Sequence, residues 1–500
     1  MRMKAAAFGL ALAIGLGFPA VAQPDEQARL AEAARQPAPA HAPVVTQHQG
    51  VFNGHRLKYT ATVEDTDVPD AQGKPGARIV SFAYTADGAD PAKRPVLFLF
   101  NGGPISASIW VHVGGFGPKR VAFPDDVKAD PSTFRLVDNA YSPLDVADLV
   151  FIDPASTGFS RVLPGHKPED YYSVKADGQQ VAAFVRAWLT KHGRLGSPLY
   201  MLGESYGTNR AGEVAGQLAE MPDPILLDGT ILYGQAVNII EYAQRPGNII
   251  SYVASLPTLA AIAWYHHKID RAGRSLEQVA AEAQQYAAND YLEALFQGNR
   301  LPEERRRAVA ERLQELSGIP AQYYLAHNLR ITKEQFRTEL LKDRGLLLGR
   351  ADARYTAPMT DKGRAPDPSG ILPDTVEKFF RRYLVDELQV HWSEPYLASA
   401  GVGGLEDWGW GATTPFSDWP YYKRITQMFD ANPHYRVFVA NGYFDTQTTV
   451  GAAHYLVTQA GWPKDRVRLK YYDGGHMGYS VDATARRFSN DIRAFIANGR

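Results

Sequence analysis

The chain has 500 residues, 45% of them hydrophobic, and carries 53 basic against 54 acidic side chains. That balance supplies no field to hold nucleic acid or a membrane surface, which leaves small or weakly charged partners, and the length suffices for a large core. There is no cysteine, so disulfides and lipid attachment at a terminal cysteine are excluded and stability must come from burial.

At the start of the chain, Arg2 and Lys4, an apolar run over 5–18 and the small residues Ala20-Val21-Ala22 have the layout of a cleavable secretory signal spanning 1–22. Export to the periplasm or the surrounding medium is the expectation. Residues 23–45 are rich in Ala, Gln, Glu and Pro and read as a flexible leader. Strands are expected over 57–63 and 78–84, separated by a Gly/Pro/Asp turn near 69–76. The continuous apolar runs at 96–100 and 149–152 have the pattern of central strands covered on both faces.

A helix over 173–192 then leads into a strand at 198–202, the segment Gly203-Glu204-Ser205-Tyr206-Gly207, a helix over 208–218 and a strand over 225–233. Strand and helix in alternation are the α/β signature. Between 238 and 433 the pattern turns helical, with capping boxes at Ser275-Leu276-Glu277-Gln278 and Thr332-Lys333-Glu334-Gln335 and with Pro302 suited to a first helical turn. Within this stretch the apolar run 249–265 reads as a buried helix, and Glu304-Arg305-Arg306-Arg307 as a solvated helix face. Alternation resumes with a strand at 435–440, a helix at 448–459, a strand at 467–472 and a closing helix at 483–496. One α/β sheet domain, 46–237 and 434–500, thus carries a mostly helical cap insertion, 238–433. Its natural place is over the carboxyl ends of the strands, where open α/β sheets bind ligands.

Ser205 lies between a strand and a helix with glycine two residues away on each side. This is the setting of a nucleophile elbow, a strained turn that lifts the hydroxyl above the sheet. A hydroxyl of ordinary acidity needs a histidine to take its proton and a carboxylate to orient that histidine. Asp445, in Asn441-Gly442-Tyr443-Phe444-Asp445, follows one late strand, and His476, in Asp473-Gly474-Gly475-His476-Met477-Gly478, follows the next. Both reach the sheet edge that presents Ser205. Asp473 is the rival acid, but three residues before the histidine on one loop it is badly placed to orient the ring. Asn101-Gly102-Gly103-Pro104, directly after the strand at 96–100, brings glycine backbone to the same edge. The N–H groups of Gly103 and Tyr206 are the expected oxyanion donors. No His-Glu-x-x-His, Walker or Rossmann pattern is present, so neither cofactor nor metal is expected. His266-His267 reads as surface or core, and 361–373 with Trp408 and Trp410 as loop packing or the entrance to the site.

Taken together, Asn101-Gly102-Gly103-Pro104, Pro154 with Thr157-Gly158-Phe159-Ser160, Gly203-Glu204-Ser205-Tyr206-Gly207, Asn441-Gly442 with Asp445, and Gly475-His476-Met477 resemble the serine carboxypeptidases, peptidase family S10 of the α/β-hydrolases. The resemblance implies peptide substrates with a free C-terminus, and it assigns the C-terminal carboxylate to Asn101, Gly102 and Glu204. Two carboxyl groups cannot share a hydrogen bond while both are ionised, so Glu204 is expected to have a raised pKa in the complex and affinity to improve toward acidic pH.

Three departures stand out. Ile105-Ser106-Ala107-Ser108 replaces the family's Gly-Cys-Ser-Ser, Asp153 and Ser156 stand where glutamine and glycine are usual, and Tyr479 follows Gly478 in place of a valine-proline pattern. With the lack of cysteine, these point to a divergent bacterial branch. The same triad serves esterases and acyltransferases, and a binding protein on a hydrolase fold is the third reading. The carboxylate-binding group argues against the first alternative and the complete triad against the second.

Overall fold

The computed structural model describes residues 24–497 except 38, 71, 361–366, 400–404, 412, 413, 415–418 and 420. The expected signal at 1–22 lies outside the described residues, as does the first part of the segment 361–373. Residues expected to form a flexible leader instead begin with a helix, α1 (Pro24–Arg35). Its alanines favour a helix, and Ala34 is buried, with Leu30 and Ala33, against the main core. Composition alone reported the polar residues of this stretch and not its one apolar face.

Nine strands build most of a ten-stranded sheet: β1 (Val44–Phe52), β2 (His55–Pro69), β3 (Pro75–Ala86), β4 (Val96–Phe100), β5 (Asp148–Asp153), β6 (Leu199–Glu204), β7 (Gly229–Tyr233), β8 (Arg436–Gly442) and β9 (Val467–Tyr472). Their spatial order is β1-β2-β3-β5-β4-β6-β7-β8-β9, and the two-residue strand Arg161–Val162 pairs with β3. Pairing is antiparallel from β1 through β5 and parallel from there to β9. Every residue of β4, β5, β6 and β7 is buried, which is why these segments read as continuous apolar runs.

Side chains alternate between two cores, as a period of two requires. Phe98, Met201 and Val439 face a cluster under α2 (Val174–Lys191) and α3 (Gly207–Ala219). Leu97, Leu202 and Phe438 face a second cluster with Phe488 and Ile492 of the closing helix, Asp482–Ala497.

The insertion between β7 and β8 has a core of its own, with Ile262, Val279 and Leu313 from α4 (Leu256–Tyr265), α5 (Leu276–Tyr286) and α6 (Glu303–Ser317). The apolar stretch 249–265 forms two helices, Ile249–Val253 and α4. Pro257 occupies the first turn of α4, where its missing N–H has no partner to lose. Both capping boxes close, the second at the start of α7 (Lys333–Glu339). The last two helices of the insertion leave this group. Phe380 of α8 (Ile371–Asp386) enters the second sheet cluster, whereas α9 (Tyr421–Ala431) packs on α3 through Ile425 and the Arg424–Glu213 ion pair.

Candidate active site

Ser205 follows the last residue of β6 with φ of +60°, a left-handed conformation that costs a non-glycine residue roughly 1–3 kcal/mol. Its backbone N–H donates to the Tyr233 carbonyl of β7 at 2.9 Å. The flanking glycines are demanded by close approach. A Cβ on Gly203 would overlap the Gly207 carbonyl, and one on Gly207 would stand 2.8 Å from the Asn101 oxygen.

The loop after β4 is pressed against this elbow, since a Cβ on Gly102 would lie 2.5 Å from the Tyr206 nitrogen. Among the described residues the N–H groups of Gly103 and Tyr206 have no backbone acceptor. They are therefore open to an oxygen above Ser205. The buried Arg210 fixes the two pieces together: its guanidinium donates to the Asn101 carbonyl and, at 2.7 Å, to Asp177, which also accepts the Tyr206 hydroxyl at 2.9 Å. Trp408 and Trp410 meet the Tyr206 ring edge-on at 5.4 and 5.9 Å, so they support the elbow from behind and do not form an entrance.

β8 and β9 are adjacent and parallel, which brings the loops after them side by side. The His476 ring lies 2.6 Å from Asp445 through Nδ1, and Asp473 takes no part. Asp445 is fully buried and also accepts the N–H groups of Gln447 (2.7 Å) and Thr448 (3.2 Å) and the Thr448 hydroxyl (2.5 Å). Those donors hold it aimed at the ring. Burial works against charging His476, but the charge and hydrogen bond of Asp445, then the charge of Glu204, outweigh it and raise the pKa above the ordinary 6.5. With Nδ1 engaged, Nε2 is the ring nitrogen left to exchange a proton with substrate.

Ser205, His476, Glu204, Asn101, Gly102 and Gly103 line one cleft, whose walls add Trp110, Leu372, Pro373 and Met477. Glu204 is 3% exposed, and burial lifts its pKa from 4.5 to about 7 against the opposing influence of His476 and a hydrogen bond from Tyr479. That hydroxyl donates to Glu204 Oε2 at 2.6 Å. Asn101 Oδ1 accepts the N–H groups of Trp110 and Val111, both at 3.0 Å, so its NH2 is the end that remains for a ligand.

Sequence reasoning passed over Tyr479, which lies behind Glu204, as a departure from a pattern, and it did not single out Trp110, Gln447 or Ala351 of the cleft lining; Asp367, Ser369, Leu372 and Pro373, in the described part of the stretch 361–373, do line the cleft. Among the described residues no cluster of His, Asp or Glu suits a metal ion, and no helix is long and apolar enough to cross a membrane.

Against known proteins, a family model described as serine carboxypeptidase matches residues 77–293. This segment is similar to the serine carboxypeptidases. The matched segment contains Asn101-Gly102-Gly103, the loop at 154–160 and the Ser205 elbow, while Asp445 and His476 lie beyond it. A crystal structure of a prohormone-processing carboxypeptidase from Saccharomyces cerevisiae superposes with a TM-score of 0.51 at 15% identity, covering 88% of this chain and 91% of that one. A proline iminopeptidase from Mycobacterium smegmatis gives a TM-score of 0.39 at 15% identity, covering 87% of this chain and 98% of that one. A thermophilic esterase from Thermogutta terrifontis gives 0.35 at 15% identity, with 87% and 99% covered. No curated protein sequence matches. The fold of the chain is the α/β-hydrolase fold with a large, mostly helical insertion.

Proposed function

We propose that the protein is a serine carboxypeptidase that removes single residues from the C-terminus of peptides. The observation that carries this reading is Glu204, a buried carboxyl with its pKa near 7 that lines the cleft beside the nucleophile. Among the described lining residues there is no Lys or Arg to receive a carboxylate. A protonated Glu204 supplies a donor in their place, with the Asn101 NH2 and the Gly102 N–H beside it.

In the reaction the Ser205 oxygen attacks the carbonyl carbon of the last peptide bond while His476 Nε2 takes its proton. Negative charge passes to the carbonyl oxygen, which the Gly103 and Tyr206 N–H groups hold. His476, its cation stabilised by Asp445, returns the proton to the departing amine, and the C–N bond breaks. Water then attacks the acyl-enzyme with His476 again as base, and Ser205 leaves with its proton restored. The apolar walls, Trp110, Leu372, Pro373 and Met477, favour apolar side chains at the cleaved end.

The signal-like N-terminus supports placing this activity outside the cytoplasm, and the lack of cysteine and the altered motifs support a divergent bacterial branch of the family. Incubating the protein with N-blocked dipeptides across pH tests the reading: release of the single C-terminal residue is expected. Hydrolysis of small esters with no release from any free-acid peptide would overturn it in favour of an esterase.

A further inference from the structure

Tyr479 is three residues past His476, where the chain turns back through a single helical turn, Gly478–Ser480, and its ring is locked from two sides. Phe116 meets it edge-on at 5.4 Å and Tyr233 packs obliquely at 5.7 Å. Gly115 approaches so closely that a Cβ there would lie 3.2 Å from the ring. The hydroxyl therefore has one direction, and it donates to Glu204 Oε2 at 2.6 Å. Among the described residues Glu204 Oε1 has no hydrogen-bond partner, and Glu204 lines the cleft.

Resting on the carboxypeptidase reading, we propose that Tyr479 is a positioning residue that decides which oxygen of Glu204 carries the proton: with Oε2 engaged as an acceptor, Oε1 is the oxygen that donates to a peptide's C-terminal carboxylate. An unpinned carboxyl rotates, and its proton is then as often turned away from the ligand as toward it. Donation by Tyr479 also stabilises the ionised form of Glu204, so it keeps the proton exchangeable near neutral pH against the effect of burial. The other titratable groups facing Glu204 are His476 and Asp445, with Tyr233 beyond.

Two signs follow for Tyr479→Phe, which preserves the ring and its packing. Loss of the pin weakens binding of free-acid peptides at low pH by several-fold, and loss of the donor moves the pH at which binding fails upward. The test is calorimetric binding of an N-blocked dipeptide acid and its C-terminal amide, from pH 5 to 9, to Ser205→Ala and to Ser205→Ala/Tyr479→Phe. The expected result is an alkaline shift of the midpoint by about one pH unit for the acid, the size of one lost hydrogen bond, with no change for the amide. In the Glu204→Gln background, where no proton is exchanged, Tyr479→Phe should shift nothing. An unmoved midpoint would reduce Tyr479 to a packing residue. If Ser205→Ala binds acid and amide alike at every pH, the carboxypeptidase reading itself falls, and this inference with it.

Discussion

The backbone N–H of His476 donates to the carbonyl of Ala351 at 2.6 Å, which ties the histidine paired with Asp445 to the insertion and not only to the sheet. The neighbours of Ala351 extend the tie. Asp352 accepts the Gly475 N–H at 3.1 Å, the Arg350 carbonyl accepts the Thr446 hydroxyl at 2.8 Å, and Ala353 donates to the Phe444 carbonyl at 2.9 Å. Four consecutive residues of the insertion thus hold the loops of both Asp445 and His476 in register.

Gly475→Ala should break this strap. A Cβ at Gly475 would overlap the Ala351 carbonyl and crowd Asp352, so either the insertion lifts or His476 moves. Displacing a catalytic group by about 1 Å costs on the order of 100-fold in rate. We expect about that loss in the labelling rate of Ser205 by a fluorophosphonate, with the circular dichroism spectrum unchanged. Labelling at the native rate would mean that the histidine loop holds itself without the strap.

The pH profile should depend on whether the substrate has a carboxylate. His476 must be neutral to act as base, and its pKa is raised, so activity rises with pH through a value above 6.5. Glu204 must be protonated to receive a peptide carboxylate, and its pKa is about 7, so binding of such peptides falls as pH rises past that value. For a free-acid peptide kcat/KM should form a narrow bell near neutrality. The two groups feel each other's charge, so the limbs belong to the pair and not to either residue. A small uncharged ester should show the rising limb alone. Identical falling limbs for both substrates would remove Glu204 from carboxylate binding.

What the amino-acid order discloses here follows from how local each feature is. β4, β5 and β6 are legible because each is an unbroken apolar run ending where a loop residue begins, and the adjacency of Asp445 and His476 follows from two consecutive parallel strands. Tyr479 is different: its role depends on the return of the chain after Gly478 and on an aromatic wall from Phe116, far away in sequence. The Ala351 strap is equally hidden, because a contact between an insertion and a catalytic loop leaves no period in either. The burial of α1 escaped composition for the same reason, since an alanine face needs its partner surface before it means anything.

Glu204→Gln should stabilise the protein at alkaline pH. A carboxyl whose pKa rises from 4.5 to about 7 on folding binds more protons folded than unfolded between those values. Stability therefore declines as pH rises through that window, by about 3 kcal/mol when complete. Glutamine has no proton to lose, and its carbonyl can still accept from Tyr479. Urea midpoints for the two proteins should coincide near pH 4.5 and separate at pH 8, with the variant the more stable. Parallel curves across that range would mean that Glu204 does not titrate in the folded protein as its burial implies.

Asp177→Ala should injure both stability and chemistry through one buried cation. Arg210 is fully buried, and its guanidinium is shared between Asp177 and the Asn101 carbonyl, which sits at the root of the Gly102-Gly103 loop. Removing the carboxylate leaves that charge uncompensated, a loss of roughly 3–5 kcal/mol, and it also frees the Tyr206 hydroxyl beside the nucleophile. Asp177→Asn keeps an acceptor and should fall between the two. On the proposed mechanism the Gly103 and Tyr206 donors act on the transition state, so the loss should appear in kcat more than in KM for the folded fraction. Equal kcat in the folded alanine variant would show that the elbow holds its donors in place without the Arg210 clamp.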